Sequence, residues 1–130
     1  HVVGVEGSEE LVARARANAD RNGLGESCEF HAANLFDTTE DSLAALGPLD
    51  KLLIDPPREG AIAVAKAIDR LSGPSRIVYV SCNPATLARD AAVLVREKGY
   101  RLRAAGIANM FPQTSHLESV AVFERGPDSW

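Results

Sequence analysis

The feature that most constrains this chain is a regular alternation of short β-branched runs with longer amphipathic stretches. "VVGVEG" (2–7) leads directly into "SEELVARARANADRNG" (8–23), which reads as strand then helix. Ser8 suits the N-cap, Glu9 and Glu10 suit the positive end of the helix dipole, and Gly23 suits the C-terminal cap. The pattern repeats with a strand in "CEFHAAN" (28–34), a short helix over 39–46, and a strand in "DKLLID" (50–55). "PPREG" (56–60) breaks the chain before a helix at about 61–71, where Ile62, Ala65, Ile68 and Leu71 recur at helical spacing. "RIVYVS" (76–81) is a fourth strand, Pro84 to Lys98 a helix closed by Gly99, and 100–108 and 117–124 are two further apolar stretches with no helical pattern between them. Such alternation argues for an α/β fold with a mostly parallel sheet. The last two strands, joined by a short loop, form a hairpin or near-hairpin, so one edge is antiparallel.

Composition narrows the class. The 130 residues fit one domain, and 45% are hydrophobic, enough for a buried core. With 18 acidic and 14 basic residues the formal charge is −4, unlike a basic nucleic-acid-binding module; if the partner is RNA, most phosphate contacts come from elsewhere. Cys28 and Cys82 are too few for a disulfide scaffold or a zinc site. No apolar run approaches the roughly 20 residues needed to span a bilayer, and no basic-then-apolar signal opens the chain. The expectation is a cytoplasmic protein without a metal.

In parallel sheets ligands gather at the carboxyl ends of the strands, which singles out Glu6, Asn34, Asp55 and Cys82. Glu6 is either a ribose-binding acid or a solvated acid before a helix start. No G-x-G-x-x-G occurs; Gly23 and Gly25 follow a helix rather than a strand, so they do not cradle a phosphate. In "IDPPR" (54–58), Pro56 and Pro57 remove two amide donors and hold the backbone extended, either as a rigid platform for a planar group or as a plain turn. Cys82 lies just before a helix begun by Asn83 and Pro84, whose amides favour a thiolate; the alternative is a small packing residue. Cys28, inside a strand, has no such setting. "MFPQTSHLES" (110–119) places His116 and Glu118 two apart, on one side of a strand.

Together, "DPPR", "SCNPATLARD" and "MFPQTSHLES", in this order, resemble the bacterial RNA (uracil-5-)-methyltransferases, closest to the branch acting on 23S ribosomal RNA, with the transfer-RNA branch also similar. The resemblance runs over essentially the whole chain. It implies a Rossmann-like S-adenosylmethionine-dependent methyltransferase fold, Cys82 as nucleophile and Glu118 as general base. It further implies Glu6, Asn34 and Asp55 as S-adenosylmethionine contacts, and Asp55, Arg58 and His116 as candidate contacts to the target base. The implied reaction methylates C5 of a uridine through a covalent Cys–C6 adduct, on a nucleotide flipped out or already unpaired.

One departure from the family is large. Its members place a first strand and glycine-rich loop immediately before the counterpart of "VVGVEG", with RNA-binding and iron–sulfur or β-barrel segments before that. The expectation is therefore a single truncated domain over 1–130, the carboxy-terminal catalytic part, lacking the first strand and glycine-rich loop and inactive in isolation. Unpaired strand edges would then favour self-association. Two other readings stand beside this one: a base-amine methyltransferase, since D-P-P-x motifs occur there without a cysteine, and an inert binding module.

Overall fold

The computed structural model describes residues 1–109, 113 and 117–126. The chain divides into two compact units, His1–Thr38 and Thr39–Trp130.

In the first unit, β1 (Val2–Glu6) and β2 (Cys28–Ala32) pair in parallel, with Gly4 opposite Phe30 and Glu6 opposite Ala32. The helix between them, α1 (Glu9–Arg21), starts where Ser8 Oγ accepts the Leu11 amide at 3.3 Å. It ends in a Schellman motif: the Leu24 amide reaches the Ala19 carbonyl, the Gly23 amide reaches that of Asp20, and Gly23 takes a φ of +71°. The ring of Phe30 lies so close over Gly4 that a Cβ there would stand 2.7 Å from Cδ1. A glycine inside "VVGVE" is thus a packing requirement of the opposing strand. After β2 a single 3-10 turn, Leu35–Asp37, closes the unit.

The second unit holds α2 (Glu40–Ala44), β3 (Lys51–Ile54), α3 (Ile62–Ala67), β4 (Arg76–Ser81), α4 (Pro84–Arg96), β5 (Tyr100–Ala108) and β6 (Glu118–Arg125). Its sheet runs β3-β4-β6-β5; β3 and β4 are parallel, while β6 is antiparallel to both neighbours. The expected antiparallel edge is present. The later strand β6 lies inside and β5 forms the rim, with a bulge between Leu102 and Ala104. Along β4 the pleat buries Ile77, Tyr79 and Ser81 on one face, and β6 answers with Phe123 opposite Ile77 and Ala121 opposite Tyr79. A large residue thus faces a large one, and the bulkiest faces a small one. Removing each such aliphatic or aromatic side chain from water is worth roughly 1.5–3 kcal/mol.

One helix departs from the pattern in the sequence. α3 stops at Ala67, and Ile68 is extended with ψ 126°. Ile68 and Ala65 are buried as the spacing indicates, but Leu71 is 89% exposed. The cause is Asp69, whose Oδ1 accepts the amides of Leu71 (2.8 Å) and Ser72 (2.6 Å) and the Ser72 hydroxyl (2.9 Å). An aspartate that satisfies the amides two and three residues ahead competes directly with helix continuation.

Among the described residues, the outer edges of β1 and β3 pair with no other strand. No helix of the described residues is long and apolar enough to cross a membrane.

Candidate active site

The carboxyl ends of β3 and β4 and the amino end of β6 converge at one rim of the second unit. Asp55 directly follows β3 and Cys82 directly follows β4, its parallel neighbour. The β4–β6 register ends at Ser81 opposite Ser119, so continuing it by one residue sets Glu118 across from Cys82. Glu118 also pairs with Ala108 of β5, which anchors its backbone from the other side. Nucleophile and base candidates, 36 positions apart in the chain, therefore become cross-strand neighbours.

The turn carrying Cys82 is held from both sides. Ser81 Oγ accepts the Asn83 amide at 3.0 Å and donates to the Asn83 carbonyl at 2.8 Å. Asn83 caps α4 through Oδ1, which accepts the Ala85 amide at 3.0 Å, and Pro84 occupies the first helical turn. Cys82 is half-buried and unpaired with Cys28, as both cysteines are free.

The "DPPREG" loop is clamped to the same helix. Pro56 is buried, and the Gly60 amide closes a turn onto the Pro57 carbonyl at 2.9 Å. The Arg58 carbonyl accepts from Asn83 Nδ2 (3.2 Å) and Thr86 Oγ1 (3.0 Å), and the Glu59 carbonyl accepts from an Arg89 terminal nitrogen at 2.8 Å. Asp90, with 0% exposure, takes the Ala61 amide (2.8 Å) and the Tyr79 hydroxyl (2.5 Å) on Oδ2, and Arg89 Nε on Oδ1 (2.9 Å). Burial, then the hydrogen bond to Asp90, pushes the Tyr79 phenol well above its usual range, so it remains a proton donor across the physiological scale.

Tyr79, Thr86, Arg89 and Asp90 were not singled out by sequence reasoning. The available signal was Asp90 itself, a charged residue in helical phase with the buried Val93 and Leu94. Of the other expected site residues, Asp55 and Arg58 are exposed at the rim, and His116 lies outside the described residues.

In the first unit, Glu6 and Asn34 sit at the carboxyl ends of adjacent strands, joined by a bond from the Ala33 amide to the Glu6 carbonyl at 3.0 Å. Glu6 Oε1 accepts the Ser8 amide at 3.1 Å across the turn before α1. Its other carboxylate oxygen makes no hydrogen bond among the described residues. Asn34 Oδ1 accepts the Phe36 amide at 2.9 Å. Among the described residues no cluster of three or more His, Cys, Asp or Glu could hold a metal ion.

The fold is the Rossmann-like α/β fold of S-adenosylmethionine-dependent methyltransferases. A magnesium protoporphyrin IX methyltransferase from Synechocystis superposes with a TM-score of 0.63 at 14% identity, over 95% of this chain and 59% of that one. A solved tRNA (uracil-54, C5)-methyltransferase of Pyrococcus abyssi, in complex with S-adenosyl-L-homocysteine, superposes with a TM-score of 0.76 at 34% identity, over 95% of this chain and 28% of that one. Residues 40–126 match the model of the tRNA (Uracil-5-)-methyltransferase family, and the chain belongs to that family. The 23S rRNA (uracil(1939)-C(5))-methyltransferase RlmD of Azoarcus sp. is 82% identical over 124 residues, and that of Thiobacillus denitrificans 65%. These alignments take in 95% of this chain but only 29% and 28% of the two relatives, so the chain spans under a third of their length.

Proposed function

We propose that this chain carries the catalytic centre of a methyltransferase acting on C5 of a uridine in ribosomal RNA, with Cys82 as nucleophile and Glu118 as base. The observation that supports the reading is the β4–β6 register, which pairs Ser81 with Ser119 and, continued by one residue, brings Glu118 across from Cys82 near the point where Asp55 leaves β3. The 82% identity to a 23S ribosomal RNA enzyme supports a ribosomal substrate over a transfer RNA.

C5 of uracil is a weak nucleophile, and covalent catalysis answers that weakness. The Cys82 thiolate bonds to C6, and the C5=C6 pair moves to C5. S-adenosylmethionine, when bound, supplies the electrophilic sulfonium methyl. C5 bonds to that methyl carbon as its bond to sulfur breaks. Glu118 then takes the C5 proton, the C6–S bond breaks, the double bond re-forms and the thiolate is released. Asp55, Arg58 and His116 are the proposed contacts to the base, which must leave any stack to reach the rim.

For the methyl donor, Glu6 fits the ribose hydroxyls, since one carboxylate oxygen is engaged by Ser8 and the other is left as an acceptor. Asn34, at the end of the adjacent strand β2, is the second contact proposed in this unit, and Asp55 is proposed separately as a contact from the second unit.

The test places this 130-residue segment in the full-length Azoarcus relative and offers an RNA containing 5-fluorouridine. Fluorine cannot leave C5 as a proton does, so the adduct stays bound. The expected result is a protein–RNA adduct that Cys82→Ala abolishes. An adduct that survives the substitution overturns Cys82 as nucleophile.

A further inference from the structure

We infer that the side chains of Thr86 and of Arg89, the latter held by the buried carboxylate of Asp90, are positioning residues that set the Asp55–Gly60 loop against the Cys82 turn. This rests on the reading above, in which Cys82 attacks the base and Asp55 and Arg58 face it.

Two backbone groups of the loop and one directly after it end on one helix face. The carbonyls of Arg58 and Glu59 and the amide of Ala61 are bound by Asn83 and Thr86, by Arg89, and by Asp90 respectively. That face begins one residue after Cys82. Any displacement of the helix start therefore moves the loop and the thiol together, and release of the clamp separates them. Asp90 adds the sheet as a third body, since Tyr79 of β4 donates to the oxygen that also holds Ala61.

The chemistry of the clamp argues for placement over mere cohesion. Removing a carboxylate wholly from water is a costly way to hold an exposed loop; apolar residues of similar volume commonly stabilise as well or better. What a fully satisfied buried polar group supplies is a single geometry. Gly60 shows how closely the parts meet: its φ is +80°, and a Cβ there would lie 2.8 Å from an Arg89 terminal nitrogen, 2.8 Å from Asp90 Oδ2 and 3.0 Å from Thr86 Cβ. The helix can come this near the loop only because that residue has no side chain.

Loss of Asp90 endangers folding, so the test uses Thr86→Val and Arg89→Gln, which leave Asp90 and Tyr79 in place, within the full-length graft. Three readouts are taken: hydrogen exchange of the Ala61 amide, the single-turnover rate of methyl transfer, and the unfolding midpoint. The inference expects faster exchange at Ala61, a rate per folded molecule about tenfold lower for each variant and lower still for the pair, and an unchanged RNA KM; the midpoint stays unchanged in Thr86→Val and falls in Arg89→Gln, which withdraws a cation from a buried carboxylate. Faster exchange with an unchanged rate would reduce the clamp to cohesion and overturn the inference, as would unchanged exchange. A rate loss that merely follows a lowered midpoint overturns it too. The parent reading fails separately, through survival of the fluorouridine adduct in Cys82→Ala.

Discussion

The two ends of the β3-β4-β6-β5 sheet are each fastened by a buried tyrosine, and they do it differently. At the end away from Cys82, the Tyr100 hydroxyl donates to the Pro74 carbonyl at 2.6 Å, and the Arg125 guanidinium stacks 5.0 Å from the Tyr100 ring while reaching the Asp69 carbonyl at 2.8 Å. Ser75 completes that end by donating its amide and hydroxyl to the Asp50 carbonyl and accepting the Arg125 amide. The acceptors there are backbone carbonyls and the Tyr100 hydroxyl, which accepts from an Arg125 terminal nitrogen at 3.3 Å. At the Cys82 end, Tyr79 donates instead to a buried carboxylate that also holds a loop amide and an arginine. A phenol-to-carbonyl lock braced by the Arg125 guanidinium closes the sheet at one end, whereas a wholly buried carboxylate holds the loop beside Cys82 at the other. The first end serves stability and the second serves geometry.

The sharpest way to test that division is to remove chemistry and leave structure. Glu118→Gln in the full-length graft is expected to slow turnover about 10²–10⁴-fold while the adduct with ordinary uridine RNA accumulates, because addition proceeds and elimination does not. Denaturing gels of the RNA–protein mixture check this, and absence of accumulation would move the base elsewhere. Next in size is Gly60→Ala, which must adopt a left-handed conformation costing about 1–2 kcal/mol and also push Arg89 and Asp90 aside. It is expected to slow single-turnover transfer by about tenfold or more, more than it lowers affinity for RNA.

At the opposite end the order of effects reverses. Tyr100→Phe leaves the Pro74 carbonyl without its donor and is expected to cost about 1–2 kcal/mol in urea unfolding, with the rate per folded molecule unchanged. A rate loss there without a stability loss would break the comparison. The smallest effect belongs to Asp69, whose carboxyl is held below its usual range by the Ser72 amide first, then by the Ser72 hydroxyl and the Leu71 amide. A depressed carboxyl contributes stability above its ordinary pKa, and the contribution is lost as pH falls through the lowered folded value. Asp69→Asn is therefore expected to lower the unfolding midpoint slightly at neutral pH, with the difference vanishing in strong acid.

Much of this was legible in the sequence, and the reason lies in the range of the interactions. Strands β4 and β5 match the apolar runs at 76–81 and 100–108 residue for residue, because two-fold alternation and flanking breakers act locally. The caps at Ser8 and Asn83 were readable for the same reason: their side chains bond amides only two or three residues ahead. Where a local competitor was overlooked the reading overran, as at Asp69, whose side chain ends α3 before Leu71. The clamp was not legible, since Arg58, Glu59 and Ala61 meet partners 25 to 30 residues away and no periodicity records such a meeting.

By itself, then, the sequence determined the order of strands and helices, the helix start beside Cys82, and the strand-end positions of Glu6, Asn34, Asp55 and Cys82. Only the tertiary structure decided that β6 threads between β4 and β5, which pairs Ser81 with Ser119 and so brings the start of β6 to the end of β4. It alone decided that Asp90, on the buried face of α4, would be satisfied by a tyrosine, an arginine and a loop amide. Local propensity acts over a few residues, whereas strand insertion and the satisfaction of a buried charge depend on groups that become neighbours only after the sheet has formed.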